Sequence, residues 1–389
     1  MASFDYDMGV LGGGSAGLTL TSGSAQLGAK TILIEKEPRL GGDCLHYGCV
    51  PSKTLIKSAS VYHLIKNSFR FGLPSASVSP VDYARVVERI KKVINTIQKH
   101  DSEERFCSLG AEVRFGSPRF VDEHTIELDG KRITAKSWLI ATGSSPALPP
   151  VPGLESTPHI TNKEIFYLGR LPDSLIVLGA GPIAVEMAQA FARLGSQVSV
   201  VQRSAQILSK EDKDMADSVM HALEQEGVVF YLNAKVTVAK EVAGQPHLIF
   251  TDAQGQEVDL AAEQLLVALG RQANLQDLGL KNIGLEYSAK GLKLDDRLRT
   301  SHKHIYGAGD ATGGYQFTHA AGYEGGMVLA NAILRLPRKV NYTWLPHATY
   351  CAPELASMGM NESAAIKLGL EYSVWTEEFS TNDRALAEG

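Results

Sequence analysis

The chain has 389 residues, 38 lysines and arginines against 43 aspartates and glutamates, a formal charge of -5, 44% hydrophobic residues and 37 glycines. Those values exclude a disulfide-stapled miniprotein, a coiled coil and a disordered acidic tail, and at about 150 residues per domain they imply two or three domains. Neither sign of charge dominates, so nucleic-acid binding has no compositional support, and no apolar run approaches the roughly 20 residues of a membrane span.

The chain begins near Asp5 and Asp7, without a basic-flanked signal or an Arg-rich transit segment, and the expectation is a cytoplasmic protein. An apolar strand from Met8 to Leu11 leads into Gly12, Gly14 and Gly17, then a helix to Leu27, a capping Gly28, and a strand from Thr31 to Ile34 that ends at Glu35. Strand, turn, helix and strand in about 30 residues is the context that makes G-x-G-x-x-G a dinucleotide signature. Gly12 permits the turn, Gly14 lets the backbone approach a pyrophosphate, and Gly17 lets helix and strand close. The helix N-terminus, from Ser15 on, offers NH donors to the phosphates, and Glu35 offers an acceptor to a ribose diol, with Lys36 beside it.

Helices are predicted over Ser52–Lys66 and Val81–His100, the latter with a stripe of Val86, Ile90, Val93, Ile94 and Ile97 that reads as core packing. Strands follow at Ala111–Phe115, Thr125–Leu128 and Ser137–Ala141, the last entering Thr142, Gly143 and Ser144. The prolines at 146, 149, 150 and 152 form a stiff connector, which predicts a domain boundary near residue 148. The first pattern then repeats: strand Leu175–Leu178, turn glycines Gly179 and Gly181, helix Ile183–Leu194, and strand Gln197–Val201 ending at Gln202 and Arg203. Ala184 replaces the third glycine, a change the fingerprint tolerates, so two nucleotides are expected. Val228–Val238 and Leu248–Leu260 read as antiparallel strands, and Leu265–Leu269 as a strand ending in Gly270 and Arg271. Ile305–Ala308 delivers Asp310 to a sheet edge, and Phe317, Thr318, His319 and Ala320 open a small-residue helix running to Leu334.

The segment Gly41–Lys53 carries the most chemistry. Cys44 and Cys49 stand five positions apart, and they reach the Cα separation of about 4.4–6.8 Å that a disulfide requires only if the chain coils between them, which Gly48 permits. A helix N-terminus near the thiol stabilises its thiolate. A zinc site is the competing reading but favours C-x-x-C with a second pair, and inert core cysteines are the bland one; a redox pair is the reading carried forward, with no metal. Cys107 and Cys351 read as buried small hydrophobes. His46 lies between the cysteines, where its proximity could lower the Cys44 pKa.

These motifs together resemble the class I flavin-dependent pyridine-nucleotide disulfide oxidoreductases, the family of lipoamide dehydrogenase, glutathione reductase and mercuric reductase. The likeness spans essentially the whole chain: the first fingerprint, the Gly42-Asp43-Cys44 to Cys49 segment, Ala141-Thr142-Gly143, the second fingerprint with Ile183 and Glu186, Gly270-Arg271 with Asn274, Gly309-Asp310, and Thr318-His319-Ala320. It implies an α/β fold with two Rossmann-like nucleotide-binding domains and an incomplete α+β interface domain. FAD is expected on 1–148 and 271–337, NAD(P)H on 149–270, and a partial dimerisation domain on 338–389. Cys49 is then the charge-transfer thiol beside the isoalloxazine, Cys44 the interchange thiol, and Lys53 a cation near the flavin N5 edge. The implied activity passes hydride from NAD(P)H through FAD to the Cys44–Cys49 disulfide and on to an unassigned small-molecule or thiol/disulfide substrate, in a homodimer. The family's general base, a His and a Glu, falls beyond Gly389, so impaired turnover and a weakened dimer are also expected. Arg203 after Gln202, where an acid would grip a 2′-hydroxyl, favours NADPH over NADH. Dihydrolipoamide dehydrogenase, a mercuric-reductase-like enzyme, and a thiol redox sensor without turnover are the alternatives. Tyr47 argues against the first, and the lack of an N-terminal C-x-x-C module against the second.

Overall fold

The computed structural model describes residues 3–388, and the chain divides into two compact units. The first comprises the stretch ending at Ser52, then Glu88–Ala147 and Gly270–Tyr342. Its sheet runs in the order Ala111–Phe115, Thr31–Glu35, Tyr6–Leu11, Lys131–Ile140, and the first three strands are parallel to one another and to the fourth. Ile305–Gly307 adds to Lys131–Ile140 in parallel, while Thr125–Leu128 and Arg119–Phe120 continue the sheet as an antiparallel margin. Parallel strands need both faces covered, and the strand Thr31–Glu35 is accordingly buried at all five positions. On one face Trp138 lies edge-on to Phe120 at 5.7 Å, within a cluster that includes Tyr6, Ile126 and Ile283. On the other, helix Ser15–Gln26 packs with helix Thr318–Ala332, and Gly325 comes so close that a Cβ there would stand 2.5 Å from the Ala16 carbonyl.

Because Tyr6–Leu11 has a parallel neighbour on each side, its carboxyl end is a topological switch point, where doubly wound sheets bind ligands. Gly12, Thr142 and Asp310 follow the carboxyl ends of these strands, and Glu35 is the last residue of its own.

The second unit comprises Lys53–Val87, Leu148–Leu269 and the chain from Thr343. Its parallel sheet has the order Val229–Tyr231, Gln197–Val201, Ser174–Leu178, Gln264–Val267, and a three-stranded antiparallel sheet of Lys235–Val242, Gln245–Thr251 and Glu257–Ala261 accompanies it. Two sequence expectations are corrected here. The span Val228–Val238 holds the short parallel strand Val229–Tyr231 and the start of Lys235–Val242, and Leu248–Leu260 is a hairpin turned at Asp252, whose carboxylate accepts from the backbone of Gln254 and Gln256. A further helix, Lys213–Gln225, buries Ala216, Val219 and Leu223 at helical spacing. The later chain supplies a small hairpin, Pro346–Thr349 with Leu355–Met358. No helix among the described residues is long and apolar enough to cross a membrane.

Candidate functional site

The first fingerprint is a tight loop onto a helix. Gly12 has φ +106°, and a Cβ there would lie 2.3 Å from the Ala141 carbonyl, so only glycine lets the chain leave its strand beside the neighbouring one. Gly14 precedes helix Ser15–Gln26 in extended conformation with no side chain capping it, leaving the first-turn amides without a side-chain acceptor; Gly17 lies buried in that turn. Glu35 is buried and braces the loop: Oε2 accepts from the Gly13 amide at 2.6 Å and Oε1 from Glu37 at 2.9 Å. Each oxygen keeps a second lone pair. Lys36 is exposed beside it.

The thiol segment closes over this loop. Gly42, at φ +59°, sits against Gly14, where a Cβ would come within 2.8 Å of the Gly14 Cα. Gly42–His46 is a short helix absent from the sequence expectation, and the next helix begins at Cys49 rather than Ser52. Its start is fixed by the Ser52 amide donating to Gly48 O. These two turns coil the chain so that Cys44 and Cys49 hydrogen-bond to each other as thiols. Cys49 is the more exposed of the two, and its Sγ lies 3.2 Å from the Thr318 hydroxyl, which also hydrogen-bonds to Cys44. The hydrogen bond to Cys49, then burial, push the Cys44 thiol well above the ordinary range. The expectation that His46 lowers the Cys44 pKa is therefore corrected; the His46 ring nitrogen Nε2 lies 3.0 Å from the Leu40 carbonyl.

Thr318 opens helix Thr318–Ala332, and Ser15 Oγ donates to its carbonyl at 3.1 Å, joining that helix start to the first fingerprint. Phe317 and His319 stack at 5.5 Å, and Ala320 is buried. Nearby, Arg271, one-tenth exposed, donates from Nε to Ser144 Oγ at 2.7 Å and from Nη2 to Ser144 O at 2.9 Å. Ser144 Oγ in turn donates to Asp310 at 2.6 Å. Arg271 also pairs with Asp43 at 3.2 Å and lies 3.6 Å from Asp310. Burial pushes the Asp310 carboxyl up, opposed by Ser144 and Arg271. Thr142 Oγ1 donates to Asn274 O at 2.7 Å, and Asn274 N donates to Gly143 O. The Gly270 carbonyl accepts from the Ala147 amide, where strands Ser144–Pro146 and Arg271–Ala273 pair.

Sequence reasoning missed Glu324 and Tyr342. Glu324 is 1% exposed and accepts from the Gly309 amide at 2.6 Å and from the Tyr342 hydroxyl at 2.6 Å, so it fixes the backbone just before Asp310. A glutamate between glycines in a small-residue helix was the available signal.

In the second unit Gly179 and Gly181 form the corresponding turn, and Pro182 starts the helix Pro182–Leu194. Ile183 is 40% exposed at that turn, whereas Glu186 is buried and takes a bidentate pair from Lys53 at 2.8 and 3.0 Å. Lys53 also stands 4.4 Å over the Tyr350 ring, whose backbone amide donates to the same Glu186 at 3.0 Å. Tyr350 was not anticipated. The Gln202 amide is turned onto Ser204 Oγ at 2.7 Å within its own loop, and Arg203 is exposed. Among the described residues no group of three or more His, Cys, Asp or Glu could hold a metal ion.

Known proteins share this arrangement. Residues 6–325 match the family described as pyridine nucleotide-disulphide oxidoreductase, and residues 345–389 match its dimerisation domain. A mercuric reductase of Bacillus cereus is 34% identical over 385 residues, 99% of this chain and 60% of that protein. A dihydrolipoyl dehydrogenase of Bacillus subtilis is 33% identical over 97% of this chain and 82% of its own length. The HOCl-induced flavoprotein disulfide reductase RclA of Escherichia coli superposes with a TM-score of 0.85 at 28% identity, over 98% of this chain and 84% of that one. The chain thus spans 60% to 84% of these relatives. With two glycine turns at sheet switch points and a coiled thiol pair between them in sequence, the chain belongs to the class I pyridine nucleotide-disulphide oxidoreductases.

Proposed function

We propose that the chain is an FAD-dependent NAD(P)H:disulfide oxidoreductase with Cys44 and Cys49 as its exchanging sulfurs and a disulfide as its substrate. The observation that carries this reading is the mutually hydrogen-bonded thiol pair on Thr318, in the same unit as the first glycine turn.

That unit suits FAD: the uncapped helix start at Gly14 offers amides to a pyrophosphate, Glu35 retains acceptor capacity for a ribose, and Asp310 is a largely buried acceptor at the carboxyl end of its strand. When bound, FAD carries electron pairs between nicotinamide and sulfur. Gly12, Gly14, Ser15, Gly17, Glu35, Lys36, Gly42, Asp43, Thr142, Gly143, Ser144, Gly270, Arg271, Asp310, Phe317, Thr318, His319 and Ala320 are assigned to its site. The hydrogen bond to Cys49 and burial hold the proton on Cys44, and Cys49 is the exposed sulfur of the pair. That is the sulfur assigned to face the flavin, and Cys44 is the one assigned to attack substrate. Lys53, held by Glu186, is assigned to stabilise negative charge on the reduced cofactor without reorganising.

NAD(P)H is assigned to 149–270, with Gly179, Gly181, Ile183, Glu186, Gln202 and Arg203 at the site, FAD to 1–148 and 271–337, and homodimerisation to 338–389. NADPH is favoured because Arg203 is exposed directly after the strand Gln197–Val201, where no acid is present to grip a 2′-hydroxyl. Cytoplasmic residence belongs with this reading, since a cycling thiol pair works in a reducing compartment.

Anaerobic titration with NADPH tests the assignment. A long-wavelength thiolate-to-flavin band should appear, vanish in Cys49→Ser and persist in Cys44→Ser, and electrons should then reach an added disulfide. A chain that binds FAD but shows no band in any form would remove the sulfur chemistry from the proposal.

A further inference from the structure

Asp43, immediately before the first redox cysteine, is tied through Arg271 to the turn that carries Asp310. Arg271 is one-tenth exposed and anchored twice on Ser144, at 2.7 and 2.9 Å, so its guanidinium is already fixed when it meets Asp43 Oδ1 at 3.2 Å. The backbone carbonyl of Asp43 accepts from the Tyr47 amide at 2.8 Å, and a Cβ at Gly48 would sit 3.0 Å from that carbonyl and 3.2 Å from Asp43 Oδ2. Asp43 therefore lies inside the coil that brings Cys44 to Cys49, with its side chain grounded outside that coil. We propose that Asp43 is a positioning residue, which through Arg271 holds the Cys44 turn against Cys49 and so sets how readily the pair is reduced. This rests on the reading of Cys44 and Cys49 as a redox couple.

The direction follows from two effects of the same sign. A tethered turn keeps one sulfur at high effective concentration at the other, which favours the disulfide. Removing the carboxylate also leaves the Arg271 charge less compensated near the sulfurs, which favours thiolate and hence the reduced state. Losing Asp43 therefore makes the pair easier to reduce.

The test equilibrates the FAD-loaded protein anaerobically in glutathione buffers. The Cys44–Cys49 disulfide and two glutathione thiols give two cysteine thiols and one glutathione disulfide; the electrons come from the two glutathione sulfurs and their protons pass to the cysteines or solvent. Acid quenching, alkylation and peptide mass report the reduced fraction independently of turnover. For Asp43→Asn the equilibrium constant for reduction is expected to rise about threefold or more, the size of a half-exposed ion pair. Asp43→Ser should shift it the same way, and Asp43→Glu, which keeps the charge, should restore it. A wild-type couple that titrates normally, with Asp43→Asn and Asp43→Ser unchanged or Asp43→Glu shifted as far as Asp43→Asn, overturns the positioning role alone. A wild-type protein that forms no Cys44–Cys49 disulfide in any buffer overturns the redox reading and the role with it.

Discussion

At the scale of single residues, the buried Cys351 thiol and the half-buried Cys44 thiol are both pushed up, Cys351 by burial and Cys44 first by its hydrogen bond to Cys49. Cys351 is 8% exposed, donates to the Pro353 carbonyl at 2.9 Å, and burial pushes its pKa up to about 11. In the unfolded chain a cysteine ionises near about 8.5. The folded state thus holds the proton where the unfolded state releases it, so the stability this contributes is present below about pH 8.5 and lost as pH rises through about 11. Denaturant unfolding of wild type and Cys351→Ala, at pH 8 and again near pH 10.5, should show wild type losing ground to the variant. Lys53 makes a second prediction. It is the cation beside a carboxylate only 5% exposed, and Lys53→Met leaves that carboxylate with the Tyr350 amide but no counter-charge. A loss of about 2 kcal/mol in folding stability is expected, with the Glu186→Gln, Lys53→Met double variant recovering part of it.

At the scale of elements, the site is built from helix starts pressed onto glycines. Gly42 occupies left-handed backbone against Gly14, so Gly42→Ala meets both a strained φ and a 2.8 Å approach. The expected outcome is a chain that keeps its second unit but loses flavin, read as a fall in the 450 nm to 280 nm absorbance ratio after gel filtration. Both glycine turns were legible in the sequence because strand, turn and helix follow one another at fixed spacing, and so was the parallel core from its apolar runs. The short helix Gly42–His46 was not, since five residues give no periodicity, and the hairpin at Asp252 was hidden by apolar residues continuing on both sides of its turn. The Asp43–Arg271–Asp310 cluster joins residues more than 200 positions apart, and only the folded sheet brings them together. Glu324 was passed over because its partners, Gly309 and Tyr342, lie 15 and 18 positions away, outside its own helix.

At the scale of the whole molecule, each unit has its own parallel sheet, and the residues from Thr343 on expose large apolar side chains. Ile366, Trp375 and Phe379 are 66%, 88% and 71% exposed, within the segment that matches the family's dimerisation domain. Large apolar side chains left this exposed in a segment that matches a dimerisation domain mark it as an association site. Sedimentation velocity across a concentration series should show a dimer, and Ile366→Asp with Trp375→Asp should shift it toward monomer while leaving the flavin spectrum in place.

The unequal exposure of the two sulfurs has a consequence for how the protein meets oxidants. Cys49 presents its sulfur to solvent, while Cys44 lies deeper beside it. An oxidant arriving from solvent reaches Cys49 first, and Cys44 is placed to capture a sulfenic acid there as a disulfide before it oxidises further.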